Sequence, residues 1–292
     1  MSYNFSSGEE LLIICEKEKK TIWEVMLLRE VNMQRTSREE VIAKMMMSLD
    51  VMISSIETGA NNSEKSISGL IGGEAKILEE YRQSGKALSG DMVMKSVINS
   101  MAVLEVNASM GKIVASPTAG SCGILPGSLV TIGIEKNMST DEIVRGLFTA
   151  SAIGYLFSKN ATVSGAEGGC QAETGTAAAM AAAGLVEMMG GNPEQALSAA
   201  SFTIKNVLGL VCDPIAGLVE CPCQKRNALA SANALISADM ALAGIKTIIP
   251  FDEVVDAMYR VGKLISPTLR ETALGGLAVT KTGRKITSII YG

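Results

Sequence analysis

Apolar residues recur at helical spacing along most of the chain, and polar start signals precede the apolar runs. Ser7, Ser37 and Ser139 each stand three residues before a glutamate, which is the pattern of a helix capping box. Asn192, with proline next and glutamine at the third helical position, gives the same signal. These signals, with a further start at Asp252, predict helices over residues 7–31, 37–59, 139–157, 192–207 and 252–265.

The segment 176–189 is rich in alanine and carries no charge before Glu187, so it is predicted as a central helix that is packed on all sides. No long segment alternates between apolar and polar residues with period two, which argues against a sheet. The pattern therefore predicts an all-α fold. We expect one compact multi-helix domain over residues 1–292, with residues 1–60 as a peripheral helical hairpin.

Composition supports this picture and narrows the function. Hydrophobic residues make up 47% of the 292 residues and charged residues 19%, which excludes a disordered chain. Aromatic residues are only 4%, whereas the chain has 29 glycines and 17 methionines, as closely packed helices would allow. The formal net charge of −4 provides no basic surface for a phosphate backbone, so we expect no nucleic-acid partner.

The longest uncharged stretch, residues 113–134, is interrupted by two prolines and four glycines. It is too broken for a membrane span, and nothing resembles a secretory signal. We expect no membrane partner and a cytoplasmic protein with reduced thiols.

The chain contains no histidine, which excludes His-based zinc sites and the usual neutral-pH general base. Five of the six cysteines lie in three segments rich in Gly or Pro, at 116–127, 164–173 and 212–223. Thiolates at helix ends could bind zinc or an iron–sulfur cluster. The spacing includes no CxxC pair, so spacing alone indicates a metal site only weakly.

The same segments resemble the α chain of the iron–sulfur-dependent bacterial L-serine dehydratases. The similar motifs are Pro-Thr-x-Gly-x-Cys-Gly at 117–123, Ser-Gly-Ala-Glu-x-Gly-Cys-Gln at 164–171, Leu-Gly-Leu-x-Cys-Asp-Pro-x-Ala-Gly at 208–217, Pro-Cys-x-x-Arg-Asn-Ala at 222–228 and Arg-Glu-Thr-x-x-Gly-Gly-Leu-Ala at 270–278. The resemblance implies that Cys170, Cys212 and Cys223 bind a [4Fe-4S] cluster on which the loops converge. Cys221 has no counterpart in the motif and is interpreted as a non-ligand, and Cys122 as a loop residue near the substrate.

The resemblance also implies the reaction. A cluster held by three thiolates leaves one iron open as a Lewis acid, and the substrate L-serine loses water to give aminoacrylate and then pyruvate and ammonia. It further implies a separate β subunit as partner, in an oligomer. Without histidine the base must be another group: Glu167 and Glu173 flank Cys170, and Lys225 adjoins Cys223. We predict Glu167 and Lys225 as catalytic candidates, although helix-end carboxylates and solvated surface charges are common. Lys225 and Arg226 could also balance the cluster charge.

Substrate contacts are predicted in two segments. Ser116, Thr118, Gly120 and Ser121 could cradle a carboxylate with hydroxyl and backbone N–H groups, or the hydroxyls could simply cap turns. Arg270 could pair with the substrate carboxylate through two hydrogen bonds, or form a structural ion pair with a residue such as Glu271 or Asp239.

Three other functions are alternatives to an iron–sulfur L-serine dehydratase. A pyridoxal-phosphate dehydratase is disfavoured because its candidate lysine, Lys205, lies in a helix-like run with no parallel-sheet pattern around it. An L-cysteine desulfidase-type lyase would use the same cluster. A non-enzymatic subunit, with zinc or no metal at the cysteines, is the third alternative.

Overall fold

The computed structural model describes residues 3–292 as a helical protein, which confirms the predicted all-α fold. No β-strand occurs within these residues, where Cys212 and Arg270 form an isolated bridge. The helices are α1 Gly8–Glu18, α2 Ile22–Gln34, α3 Arg38–Asn61, α4 Glu74–Gln83, α5 Asp91–Ala108, α6 Thr131–Glu135, α7 Thr140–Asn160, α8 Gly165–Gly168, α9 Thr176–Met188, α10 Pro193–Lys205, α11 Cys223–Leu242, α12 Phe251–Leu264 and α13 Lys281–Tyr291. Among the described residues, no helix is long and apolar enough to span a bilayer.

Local capping explains where several helices begin. The side chains of Ser37, Ser139 and Asn192 each accept a hydrogen bond from the backbone three residues later, as the sequence predicts. The predicted run over 7–31 is instead two helices. Lys19 adopts a left-handed conformation (φ 50°) that ends α1, and a capping box at Thr21 starts α2.

Asp252 has a different role from the helix start that the sequence predicts. Helix α12 already begins at Phe251, and the Asp252 carboxylate accepts hydrogen bonds from the backbone N–H groups of Gly8 (2.7 Å) and Glu9 (3.0 Å). A carboxylate is favourable at this position because the first N–H groups of a helix lack intrahelical partners. Asp252 thereby joins the first helix of the chain to the twelfth.

Helix α9 occupies the centre of the molecule, as predicted, and α7, α10 and α11 pack against it. Small residues permit this close packing: a Cβ atom on Gly184 would lie 2.7 Å from the Gly146 carbonyl oxygen on α7. Leu11, Leu27 and Leu49, from the first three helices, belong to the same buried core as α9. The core is therefore built of closely packed helices, and the segments that contain the cysteines connect the ends of these helices.

The crossing of α3 and α5 also depends on a glycine. A Cβ atom on Gly59 would lie 2.1 Å from the carbonyl oxygen of Ala102, which is backbone and cannot rotate away. We expect Gly59→Ala to lower the free energy of unfolding by about 1–3 kcal/mol, the usual cost of overpacking. Urea unfolding measures this change, with the exposed Glu57→Ala on the same helix as control. Equal stability of the two variants would contradict this account of the crossing.

Candidate functional site

Two of the three cysteines lie at the start of a helical element, and the third lies in a connecting segment. Cys170 directly precedes the π-helical turn Gln171–Gly175, which continues into α9. Cys212 lies in the connection between α10 and α11, and Cys223 is the first residue of α11. A helix N-terminus favours negative charge, so Cys223 is placed where a thiolate is stabilised.

The backbone of Cys212 is fixed by the segment that follows α12. Its N–H donates to the Leu269 carbonyl (2.8 Å), and its own carbonyl accepts from the Glu271 N–H (2.7 Å). Glu271 and Ala273 have φ values of 63° and 55°, a conformation that non-glycine residues rarely adopt. Strained residues persist where the surrounding structure holds them, and here they bring Glu271 to Cys212.

The sulfurs of these three cysteines lie close enough to influence one another. Burial raises the pKa of all three thiols, and the negative charges of Cys170 and Cys223 raise the pKa of Cys212 further. The pKa of Cys223 rises to about 12, through burial and then the charge of Cys170. Neutral thiols of this kind become thiolates when a metal displaces their protons.

The other buried cysteines lack such neighbours. Burial raises the pKa of Cys15, and the charges of Glu187 and Glu24 raise it further, whereas burial alone raises that of Cys122. Cys221 is half-buried and lies two residues before Cys223. Cys170, Cys212 and Cys223 are thus the cysteines whose charges reach one another, and their role as metal ligands stays a prediction.

The surroundings of these sulfurs suit a thiolate centre. The hydroxyl of Thr174 lies 2.9 Å from the Cys170 sulfur. A Cβ atom on Gly165 would lie 3.2 Å from the Cys212 sulfur and 2.6 Å from Glu173 Oε2, so glycine permits the close packing of the backbone against these two side chains. A donor set of three soft sulfurs without histidine fits an iron–sulfur cluster or zinc.

Glu173, which the sequence raised together with Glu167 as a possible base but which was not chosen as a catalytic candidate, lies in the site. Ligand atoms of Glu173, Cys212 and Glu271 all lie within 4.8 Å of one another. Burial raises the pKa of Glu173 to about 7, a hydrogen bond with Thr118 opposes this rise, and the charge of Glu271 adds to it. In the sequence, Glu173 stands three residues after Cys170, and Glu167 stands three residues before it, so position alone did not favour either glutamate.

The segment 116–123 reaches the site through Thr118 and Gly120. Thr118 bonds to Glu173, and a Cβ atom on Gly120 would lie 3.6 Å from Glu173 Oε1. Ser121 is fully buried, and its hydroxyl lies 3.3 Å from the carbonyl oxygens of Ser116 and Thr118. The structure therefore places Thr118 and Gly120 beside Glu173, while Ser121 stabilises the loop from within, together with Ser116.

Asn227, a buried residue on α11, holds the same loop through two hydrogen bonds. Its amide nitrogen donates to the carbonyl of Gly120 (2.7 Å), and its amide oxygen accepts from the Gly123 N–H (3.1 Å). A Cβ atom on Gly123 would lie 2.1 Å from the Ser100 carbonyl oxygen, so the loop also approaches α5 closely. Helix α11 thus positions both Cys223 and the loop that contacts Glu173.

Arg270 lies across the isolated bridge from Cys212. Its Nη1 donates to the backbone carbonyl of Glu167 (3.2 Å), and its buried Nε has no hydrogen-bond partner. None of the ion pairs formed among residues 3–292 includes Arg270, so neither Glu271 nor Asp239 is paired with it. Arg270 therefore retains donor capacity beside the cysteines.

The two predicted catalytic candidates lie at the periphery. Glu167 is exposed on the short helix α8, and its backbone carbonyl makes the contact with Arg270. Lys225 is exposed, and its ammonium donates to the side chain of Gln224, which in turn donates to the buried Glu105 (2.7 Å). Catalytic roles for Glu167 and Lys225 stay predictions.

Comparison with known proteins gives one consistent family. A family profile described as "Serine dehydratase alpha chain" matches residues 17–278, which include all three cysteine segments. The chain is 50% identical over 281 residues to "L-serine dehydratase, alpha chain" of Peptoniphilus asaccharolyticus, with 96% of each chain covered. It is 48% identical over 288 residues to "Probable L-serine dehydratase, alpha chain" of Bacillus subtilis (strain 168), covering 99% of this chain and 96% of that protein.

A third relative is longer than this chain. "L-serine dehydratase 1" of Escherichia coli (strain K12) is 38% identical over 290 residues, which cover 95% of this chain and 62% of that protein. More than a third of the longer protein thus has no counterpart in the aligned region.

Proposed function

The chain belongs to the serine dehydratase alpha-chain family, and we propose that it is the catalytic chain of an L-serine dehydratase that carries a [4Fe-4S] cluster. The enzyme is a lyase that eliminates water from L-serine. The released aminoacrylate becomes an imine and hydrolyses to pyruvate and ammonia. One observation carries the proposal: Cys170 and Cys223, from distant segments, lie close enough to Cys212 for their charges to raise its pKa, in a chain without histidine.

Cys170, Cys212 and Cys223 would hold the cluster, leaving one iron without a protein sulfur. When bound, such a cluster supplies Lewis-acid assistance to the departure of the serine hydroxyl, as an open metal site does in other lyases and hydrolases. Gly165 allows its backbone to approach Cys212 and Glu173 closely, which holds both side chains beside the proposed site.

Arg270 is the candidate that binds the substrate carboxylate. Its backbone is bridged to that of Cys212, and its guanidinium makes one hydrogen bond to the Glu167 carbonyl and has a buried Nε without a partner. A guanidinium presents paired donors that match the two oxygens of a carboxylate. Thr118 and Gly120 face the same region and would complete the polar wall around the substrate.

Glu173 is the candidate that accepts the α-proton of serine, on a carboxylate oxygen. It is buried near Cys212, and no cation is paired with it among the described residues. Burial raises the pKa of Glu173 to about 7, so the ionised form is a stronger base than an exposed glutamate and is still populated at neutral pH. Glu167 is exposed and Lys225 is directed toward Gln224, which favours Glu173 over both.

A separate β subunit would complete the site. The α-chain name of two relatives implies a partner chain, and the longer Escherichia coli protein contains sequence beyond the aligned region. Glu271 is exposed and Arg270 half-buried, so this side of the site is open for a partner to cover. We place the resulting oligomer in the cytoplasm, where thiols stay reduced.

Replacing single cysteines tests the metal centre. In anaerobically reconstituted protein, we expect Cys170→Ser, Cys212→Ser and Cys223→Ser each to lose most of the iron and acid-labile sulfide, because serine oxygen is a poor ligand for this centre. Cys221→Ser is the matched control, two residues from Cys223, and should retain both. Wild-type protein that binds zinc but no iron or sulfide would contradict the proposal and support a non-enzymatic subunit.

Replacing Glu173 tests the proton acceptor. Glu173→Gln should retain iron and sulfide but lower kcat by about 10²–10⁴-fold, the usual contribution of a general base. Because a base acts in its ionised form, wild-type turnover should rise as pH increases through the raised pKa of about 7. The exposed Glu194→Gln on α10 is the control. A larger loss in Glu167→Gln than in Glu173→Gln would refute this assignment.

Adding the partner tests the incomplete site. We expect the cluster-loaded α chain to turn over serine slowly alone and fully when a β chain is coexpressed and copurified. Full turnover by the α chain alone would show that no second subunit is needed. Parallel assays with L-cysteine, with pyruvate and sulfide measured, distinguish a dehydratase from a desulfidase.

A further inference from the structure

Arg226 connects the segments that carry Cys212 and Cys223. It lies on the first turn of α11, three residues after Cys223, and its side chain is only 13% exposed. Its Nη1 donates to the Val211 carbonyl (2.9 Å), and its Nη2 donates to Asp213 Oδ1 (2.8 Å). One guanidinium thus holds the residues on both sides of Cys212.

Arg226 also acts on the other two cysteines through its charge. Burial raises the pKa of Cys170 and Cys223, and the positive charge of Arg226 opposes that rise at both thiols. The negative charge of Glu173 has the opposite effect, because it raises the pKa of all three thiols. Arg226 stands one helical turn after Cys223 and bonds to both neighbours of Cys212, so its positive charge lies in the segments that carry these two thiols.

Asp213 orients Arg226 and joins a further segment to it. It is 4% exposed, and its second oxygen accepts from the Leu277 N–H (2.8 Å). Gly276 permits this contact, since it has φ 59° and a Cβ atom there would lie 2.3 Å from Asp213 Oδ2. Asp213 directs one oxygen to the guanidinium and the other to the chain after Arg270, so it holds the guanidinium between the Cys212 segment and the segment that follows Arg270.

We propose that Arg226 is a positioning residue, which clamps the Cys212 segment to the start of α11 and sets the charge around the cluster. This inference rests on the proposed cluster at Cys170, Cys212 and Cys223. Lysine cannot replace the clamp, because an ammonium lacks the planar fork that reaches the Val211 carbonyl and the Asp213 carboxylate together. Lysine does preserve the charge, so the two effects are separable by experiment.

The test compares Arg226→Lys and Arg226→Gln with wild-type protein after anaerobic reconstitution with iron and sulfide. Two quantities are measured: the rate at which iron passes to the ferrous chelator bathophenanthroline disulfonate, and the midpoint potential of the cluster. We expect both variants to release iron about 10–100-fold faster, the usual effect of losing a contact behind the metal ligands. The potential should fall in Arg226→Gln and stay near wild type in Arg226→Lys, since a lost positive charge disfavours reduction.

Controls separate this inference from the proposed function. Arg260→Lys and Arg260→Gln, at an exposed arginine on α12, should release iron at the wild-type rate. Wild-type protein without iron would overturn the proposed function and the inference together. Iron-loaded wild type with unchanged release from Arg226→Lys would overturn the inference alone. If that variant does not fold by circular dichroism, Asp213→Asn decides: faster release supports the clamp, and unchanged release overturns it.

Discussion

The burial of several ionisable groups in one small region is the constraint on which this structure depends. Cys170 and Cys212 are buried, Cys223 and Glu173 are half-buried, and burial raises the pKa of each because it disfavours the charged form. Such an arrangement is costly unless something offsets the buried charges. A metal centre does so by binding thiolates, which links the affinity for metal to the stability of the loops that carry them.

The helical scaffold makes this region possible. Helix α9 is rich in small residues, so neighbouring helices approach it closely, and their ends deliver the cysteine segments. Polar anchors then fix the loops: Asn227 holds the chain at Gly120, and the buried Glu220, near Cys223, accepts hydrogen bonds from the hydroxyls of Ser66 and Ser68. Site geometry is therefore set by side chains that do not touch substrate.

Local features were predictable from the sequence, and long-range contacts were not. The helix starts at Ser37, Ser139 and Asn192 follow from hydrogen bonds within one turn, so a short window of sequence suffices. The family was predictable because its motifs are contiguous, and the comparisons confirm it. The break at Lys19 carries no Gly or Pro signal. The approach of Glu173 to Cys212 and the unpartnered Nε of Arg270 depend on tertiary packing between segments far apart in the chain.

The central claim is that Cys170, Cys212 and Cys223 ligate one iron–sulfur cluster and leave one of its irons accessible. An anaerobic crystal structure with anomalous data at the iron edge tests this most directly. The account predicts a cuboid iron–sulfur cluster with bonds from those three sulfurs and one iron that no protein sulfur ligates. A single zinc ion held by the cysteines, or a cluster with a fourth cysteine ligand from this chain, would contradict it.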